Sequence, residues 1–133
     1  MRFIPTRVHG LIDYLVGGTL IAAPRLLGFA DGSARQRVPV AMGAFVIGYS
    51  AITNYERGLV KAIPMKTHLS LDVLTGTILA SSRWVFGFAH RTWWPHLVVG
   101  LASIVVPQFT QTRPSYENKE PEALLLESIN PSR

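Results

Sequence analysis

The sequence predicts an all-α protein: a four-transmembrane-helix bundle made of two tandem two-helix repeats. Three observations predict it. Hydrophobic residues make up 48% of the 133 residues and charged ones only 16%, against about 25% charged in an average soluble domain. Four apolar stretches of membrane-helix length succeed one another, near residues 8–29, 38–55, 69–88 and 93–109. The second half of the chain also repeats the first at a fixed offset.

A body this apolar has too few polar groups to cover its own surface, so much of that surface is expected to face lipid or partner proteins. Before residue 110 the only acidic residues are Asp13, Asp31, Glu56 and Asp72, so the net charge of +5 divides into +6 on the apolar body and −1 on the tail. Basic residues stand singly or in pairs at the ends of apolar runs, as topogenic charges do. They form no patch interleaved with exposed aromatics, which argues against nucleic acid as a partner. The absence of cysteine excludes disulfides, thiolate metal sites and a cysteine nucleophile.

Each apolar stretch is close to the ~20 residues that cross a ~30 Å hydrocarbon core. The first follows Arg2 and Arg7 in the manner of a secretory signal. His9 and Asp13 interrupt that pattern and a matching segment recurs later, so it is read as a retained helix. The second and fourth stretches are short, and Trp93-Trp94-Pro95 sets the start of the fourth because proline suits a helix's first turn. Tyr14, Tyr49, Tyr55, Trp84, Trp93 and Trp94 are expected to form an interfacial aromatic belt. The bias of Arg and Lys toward the N-terminus, the 56–67 loop and the near tail places both termini in the cytoplasm. In the tail, Pro121 to Ile129 reads as a short amphipathic helix ended by Asn130-Pro131.

An offset of 59 lays Pro5-Thr6-Arg7-Val8-His9 on Pro64-Met65-Lys66-Thr67-His68, Asp13 on Asp72, Gly17 on Gly76 and Gly28-Phe29-Ala30 on Gly87-Phe88-Ala89. With the loop shortened by two residues, Gly43 and Ile47 fall on Gly100 and Ile104. The division is therefore 1–59, 60–109 and a polar tail at 110–133. Each repeat crosses twice, so both enter from the same side and are related by a pseudo-twofold axis along the membrane normal.

Late in the first repeat stands Ala23-Pro24-Arg25-Leu26-Leu27-Gly28-Phe29, and in the second Ser82-Arg83-Trp84-Val85-Phe86-Gly87-Phe88. These residues resemble the SPW-repeat family of small bacterial membrane proteins, whose two-helix units carry Ser-Pro-Trp followed by Leu-Leu-Gly-Phe-like residues. Neither copy holds all three letters: Ala23 and Arg25 depart in one, Arg83 in the other. The resemblance implies architecture and a multi-pass place in the bacterial cytoplasmic membrane, and carries no activity with it.

The residues that could carry chemistry are His9-x-x-x-Asp13 and His68-x-x-x-Asp72. The i,i+4 spacing puts each pair on one helix face, and the repeat puts both pairs at one depth. If both faces meet the axis, two imidazoles and two carboxylates converge. That set suits zinc or iron, and two facing histidines alone suit a haem. The same residues also read as a proton or ion relay, or as fastenings in which each Asp holds its own His or the nearby Arg7 or Lys66. Arg25 and Arg83 read either as a site for an anionic lipid head group or as snorkelling side chains, Arg25 with Asp31 for a partner. Gly18-x-x-x-Ala22 and Gly76-x-x-x-Ala80 predict a contact between the first and third helices, or a face for self-association. His90 and His96 flank the Trp-Trp-Pro motif, and no catalytic constellation is visible. The expected role is a non-enzymatic structural or accessory component of a membrane assembly, partnered by lipid, by itself or by other subunits. The alternative is a metal-, haem- or ion-binding membrane protein.

Overall fold

The computed structural model describes residues 1–117 and residue 129. It contains α1 (Thr6–Leu26), α2 (Ala34–Ala51), α3 (Met65–Val85) and α4 (Trp94–Phe109). Among the described residues only isolated bridges, Ile4 with Thr110 and Thr53 with Ile63, accompany the helices. The tail helix expected at 121–129 lies outside the described residues, apart from Ile129.

The offset of 59 holds at both ends of α1 and α3. Pro5 and Pro64 precede their first turns in the same extended conformation, each fixed near φ −65° by its ring. Gly28 and Gly87 follow their last turns, both at φ +70°, a left-handed conformation that glycine adopts without strain. Those glycines stop the helices a few residues before the sequence expectation of Phe29 and Phe88. In the other direction, α2 begins earlier than expected, because Arg35, Gln36 and Arg37 are already helical.

Close helix pairs form within each repeat. A Cβ on Gly17 would meet Ile47 Cγ1 at 2.6 Å and the Gly43 carbonyl at 3.0 Å. In the second repeat a Cβ on Gly76 would lie 2.6 Å from the Gly100 carbonyl and 3.1 Å from Ile104 Cγ1. The glycines therefore let α1 rest on α2 and α3 on α4, backbone against backbone. This corrects the expected contact of the first and third helices through Gly18, Ala22, Gly76 and Ala80. Gly76 and Ala80 pack on α4, whereas Gly18 has nothing within 4 Å. The two repeats join mainly where α2 meets α3.

No helix among the described residues is long and apolar enough to cross a membrane. The reason lies in where the polar residues are. α4 has only 16 residues, about 24 Å of helix. α1 and α3 have 21 each, but contain His9, Asp13, His68 and Asp72, all of which face inward and are buried. Val8, Leu11, Leu15, Leu74, Ile78, Val98, Leu101 and Val105 are exposed instead. Around the His–Asp group and along these outer faces the usual arrangement of a water-soluble protein is inverted, with polar groups inside and large apolar side chains outside.

Candidate metal centre

In α1, Thr6, His9, Asp13 and Gly17 share the inward stripe, and Met65, His68, Asp72 and Gly76 share it in α3. The stripes face each other at the end where both helices begin. His9 Nε2 lies 2.9 Å from Asp72 Oδ2 and 3.3 Å from Asp13 Oδ1; His68 Nε2 lies 3.1 Å from Asp13 Oδ2 and 3.3 Å from Asp72 Oδ2. Each histidine thus approaches the other repeat's carboxylate more closely than its own. All four residues are at most 5% exposed. Arg7 and Lys66, expected as partners for these carboxylates, are exposed.

The other imidazole nitrogens are held symmetrically. Thr53 Oγ1 is 2.9 Å from His68 Nδ1, and Thr110 Oγ1 is 2.9 Å from His9 Nδ1. Both threonines sit just past a helix end, where carbonyls lack an i+4 amide. Each donates its hydroxyl proton to one of those carbonyls, Thr53 to Tyr49 at 2.6 Å and Thr110 to Val106 at 2.9 Å. A hydroxyl has one proton, so each must accept from the imidazole. Both histidines therefore carry a proton on Nδ1, and both Nε2 atoms turn toward carboxylate oxygens.

A neutral imidazole so oriented presents a lone pair to a carboxylate, which is repulsive in a buried site. Positive charge must lie between them, either protons on Nε2 or a metal ion. His9 Nε2 is within hydrogen-bond distance of Asp72 Oδ2, whereas His68 Nε2 makes no hydrogen bond of acceptable geometry among the described residues, which leaves that nitrogen free for an ion. The spacing agrees: metal–ligand bonds of about 2.0–2.1 Å in a tetrahedron separate the ligand atoms by about 3.3 Å. One ligand atom from each of His9, Asp13, His68 and Asp72 can be chosen so that all lie within 4.8 Å of one another. Two neutral imidazoles and two carboxylates balance a divalent charge, and the Thr–His contacts are the outer support that metal-binding histidines normally have. A haem does not fit. The rings of His9 and His68 stand 5.4 Å apart, edge to face, and the cleft beside them is about 40 Å³, whereas ligands of drug size need about 300–1,000 Å³.

Two tyrosines, both expected from the sequence in the aromatic belt, complete the centre. Tyr49 donates to Asp72 Oδ1, and Tyr55 to Asp13 Oδ2 at 3.4 Å. Tyr55 is fully buried, and a Cβ on Gly10 would collide with its ring. Thr53 and Thr110 were also missed, although extending the Gly43/Gly100 alignment to the ends of α2 and α4 pairs them. Trp84 and Trp94 are exposed.

The sequence pattern of the SPW repeat domain matches residues 7–110. The chain belongs to the SPW repeat domain family. The family match runs from two residues before His9 to Thr110, so it spans both repeats, all four His and Asp residues and both threonines. No curated protein and no solved structure matches the chain.

The other sequence candidates do not gather. Arg25 is exposed at the end of α1. Arg83 lies between two indoles, 4.1 Å from the Trp84 ring centre and 4.0 Å from that of Trp93. Asp31 pairs with Arg35 at 2.7 Å and not with Arg25; Arg35 is i+4 from it, whereas Arg25 lies before the Gly28 turn. Hydrogen bonds from the Ser33 hydroxyl and amide, with Arg35, hold the Asp31 carboxyl below its usual range. His90 is exposed and His96 is buried at the opposite end from the His–Asp centre.

Proposed function

We propose that this chain is a small accessory protein of the bacterial cytoplasmic membrane whose two repeats are joined by one divalent transition-metal ion. Its ligands are His9, Asp13, His68 and Asp72. The observation that carries this reading is the pair of inward Nε2 atoms, each locked by a threonine into facing buried carboxylates. Zinc, iron(II), cobalt(II) and manganese(II) accept such mixed imidazole and carboxylate ligands. The ion sits on the pseudo-twofold axis between the repeats and ties α1 to α3, which have no glycine contact of their own.

The inverted distribution of side chains supports the membrane part. Hydropathy averaged along a helix counts inward His and Asp against it, but lipid meets only the outer face. That face carries Leu11, Leu15, Leu74, Ile78, Leu101 and Val105. Intramembrane ionisable residues are costly and are kept inside the bundle, paired with one another, as these four are.

The test is elemental analysis of protein purified gently from membranes of the expressing cells, with His9→Ala/His68→Ala beside it. Recovery with the membrane fraction and about one divalent ion per chain, lost in the double variant, is the expected result. Wild-type protein that holds no metal even after incubation with zinc, iron(II) or manganese(II) refutes the metal centre. The four side chains are then a proton-bridged fastening. Recovery in the soluble fraction refutes the membrane reading.

A further inference from the structure

The two repeats differ around the His–Asp group in the side chains that fill the seams between them. Under the offset that pairs Gly43 with Gly100 and Thr53 with Thr110, Tyr49 of α2 corresponds to Val106 of α4. Tyr49 fills the seam between α2 and α3 and places its hydroxyl on Asp72. Its counterpart has no hydroxyl and lacks the ring. On that side, between α1 and α4, a cleft of about 40 Å³ opens, lined by His9, Asp13 and Asp72 at its base and by Ile12, Ser103 and Val106 on its walls. Ala102, which also lines it, is exposed, so the cleft reaches the surface.

We propose that this seam is an access route to an open coordination position on the metal, taken by a ligand of one to three non-hydrogen atoms with an oxygen or nitrogen donor. The proposal rests on the metal reading above. Four protein ligands fill a tetrahedron, so the position proposed is a fifth one, taken as the ion expands its coordination from four to five. Here the α2–α3 seam is closed by Tyr49 and the α1–α4 seam is not. The volume admits about three water-sized groups at roughly 10–15 Å³ each, which excludes organic cofactors and larger metabolites. The wall is mostly aliphatic, with the Ser103 hydroxyl as a polar group, so a small anion or a neutral diatomic or triatomic ligand is the class that fits.

The experiment uses the full chain in detergent, loaded with cobalt(II), whose visible spectrum reports coordination number, and titrated with azide. Cobalt content is measured first. Wild type is expected to change spectrum saturably with azide. Val106→Tyr, which rebuilds the Tyr49 arrangement in the second seam, is expected to keep its cobalt and weaken the azide response at least tenfold. Val106→Ala, which widens the cleft, is expected to keep its cobalt and respond at least as strongly as wild type. A cobalt-loaded wild type that is silent to azide overturns the open position while leaving the metal centre standing. Equal responses in Val106→Tyr and wild type overturn the route. A wild type that takes up no cobalt overturns both readings, and the content measurement reveals that before azide is added.

Discussion

Both ends of the bundle bury histidine, and the two ends use it differently. At one end His9 and His68 turn Nδ1 to a threonine and Nε2 to two carboxylates. At the other, His96 is 1% exposed and lies against Phe29 and Phe88, at ring-centre distances of 5.9 and 5.0 Å. These phenylalanines are equivalent residues of the two repeats. Its Nε2 donates to the Arg35 carbonyl at 2.9 Å. That carbonyl is free because its i+4 residue is Pro39, which has no amide proton; the imidazole replaces the missing helical bond. Among the described residues Nδ1 of His96 has no hydrogen-bond partner and His96 no carboxylate within ion-pair distance. Burial alone therefore does not make a histidine a ligand. The distinction lies in the surroundings of the ring: two phenylalanines for His96, two aspartates for the other pair.

The largest effect that would break this comparison is on metal content. Asp13→Asn with Asp72→Asn removes both anionic ligands and is expected to abolish stoichiometric binding, while His96→Phe is expected to leave it unchanged. Elemental analysis of the two proteins side by side decides the matter, and loss of metal in His96→Phe would erase the contrast between the ends. Next in size are the threonines. Thr53→Val or Thr110→Val leaves the ligands but frees an imidazole to rotate, and the expected cost is about 10–100-fold in metal affinity, read by competition with a chelator. The retained β-branched shape separates loss of the hydrogen bond from loss of packing.

A third prediction concerns the helix pairs. Gly100→Leu forces α4 off α3 and is expected to destabilise the protein by about 1–3 kcal/mol or more, whereas Gly18→Leu points into open space and should be close to neutral. Thermal unfolding in one detergent compares them; equal midpoints would contradict the backbone contact. The smallest effect lies outside the helices, at Glu56. Burial raises its carboxyl, but hydrogen bonds from the Ser115 amide at 2.7 Å and the Thr6 hydroxyl at 2.6 Å outweigh that and hold the pKa at about 2, below the ordinary 4.5. A depressed carboxylate contributes stability above its unfolded value and loses it as pH falls through the folded one. The hold on the segment around Ser115 should therefore weaken between about pH 4.5 and pH 2. Limited proteolysis near Ser115 across that range checks it, with Glu56→Gln expected to show little dependence on pH.

The repeat and its His-x-x-x-Asp pairs were legible because identical residues recur at a constant offset and at helical spacing. The pairing across repeats was not, since it depends on which way two inward stripes face. Tyr49 and Tyr55 were misread for a related reason: a tyrosine near the end of an apolar run looks the same in sequence whether its hydroxyl seeks water or a buried carboxylate. The contact of Gly76 with α4 was hidden because small-residue spacing marks a face and does not name its partner. Asp31 fell to Arg35 because the turn at Gly28 separates it from Arg25, and that turn geometry is not written in the charges.

The most direct measurement is diffraction from crystals of the zinc-loaded protein at wavelengths above and below the zinc absorption edge. The account predicts one anomalous peak per chain, about 2.0–2.2 Å from Nε2 of both His9 and His68 and from an oxygen of each of Asp13 and Asp72. The absence of a peak between those side chains, with the His–Asp contacts still near 3 Å, would contradict it.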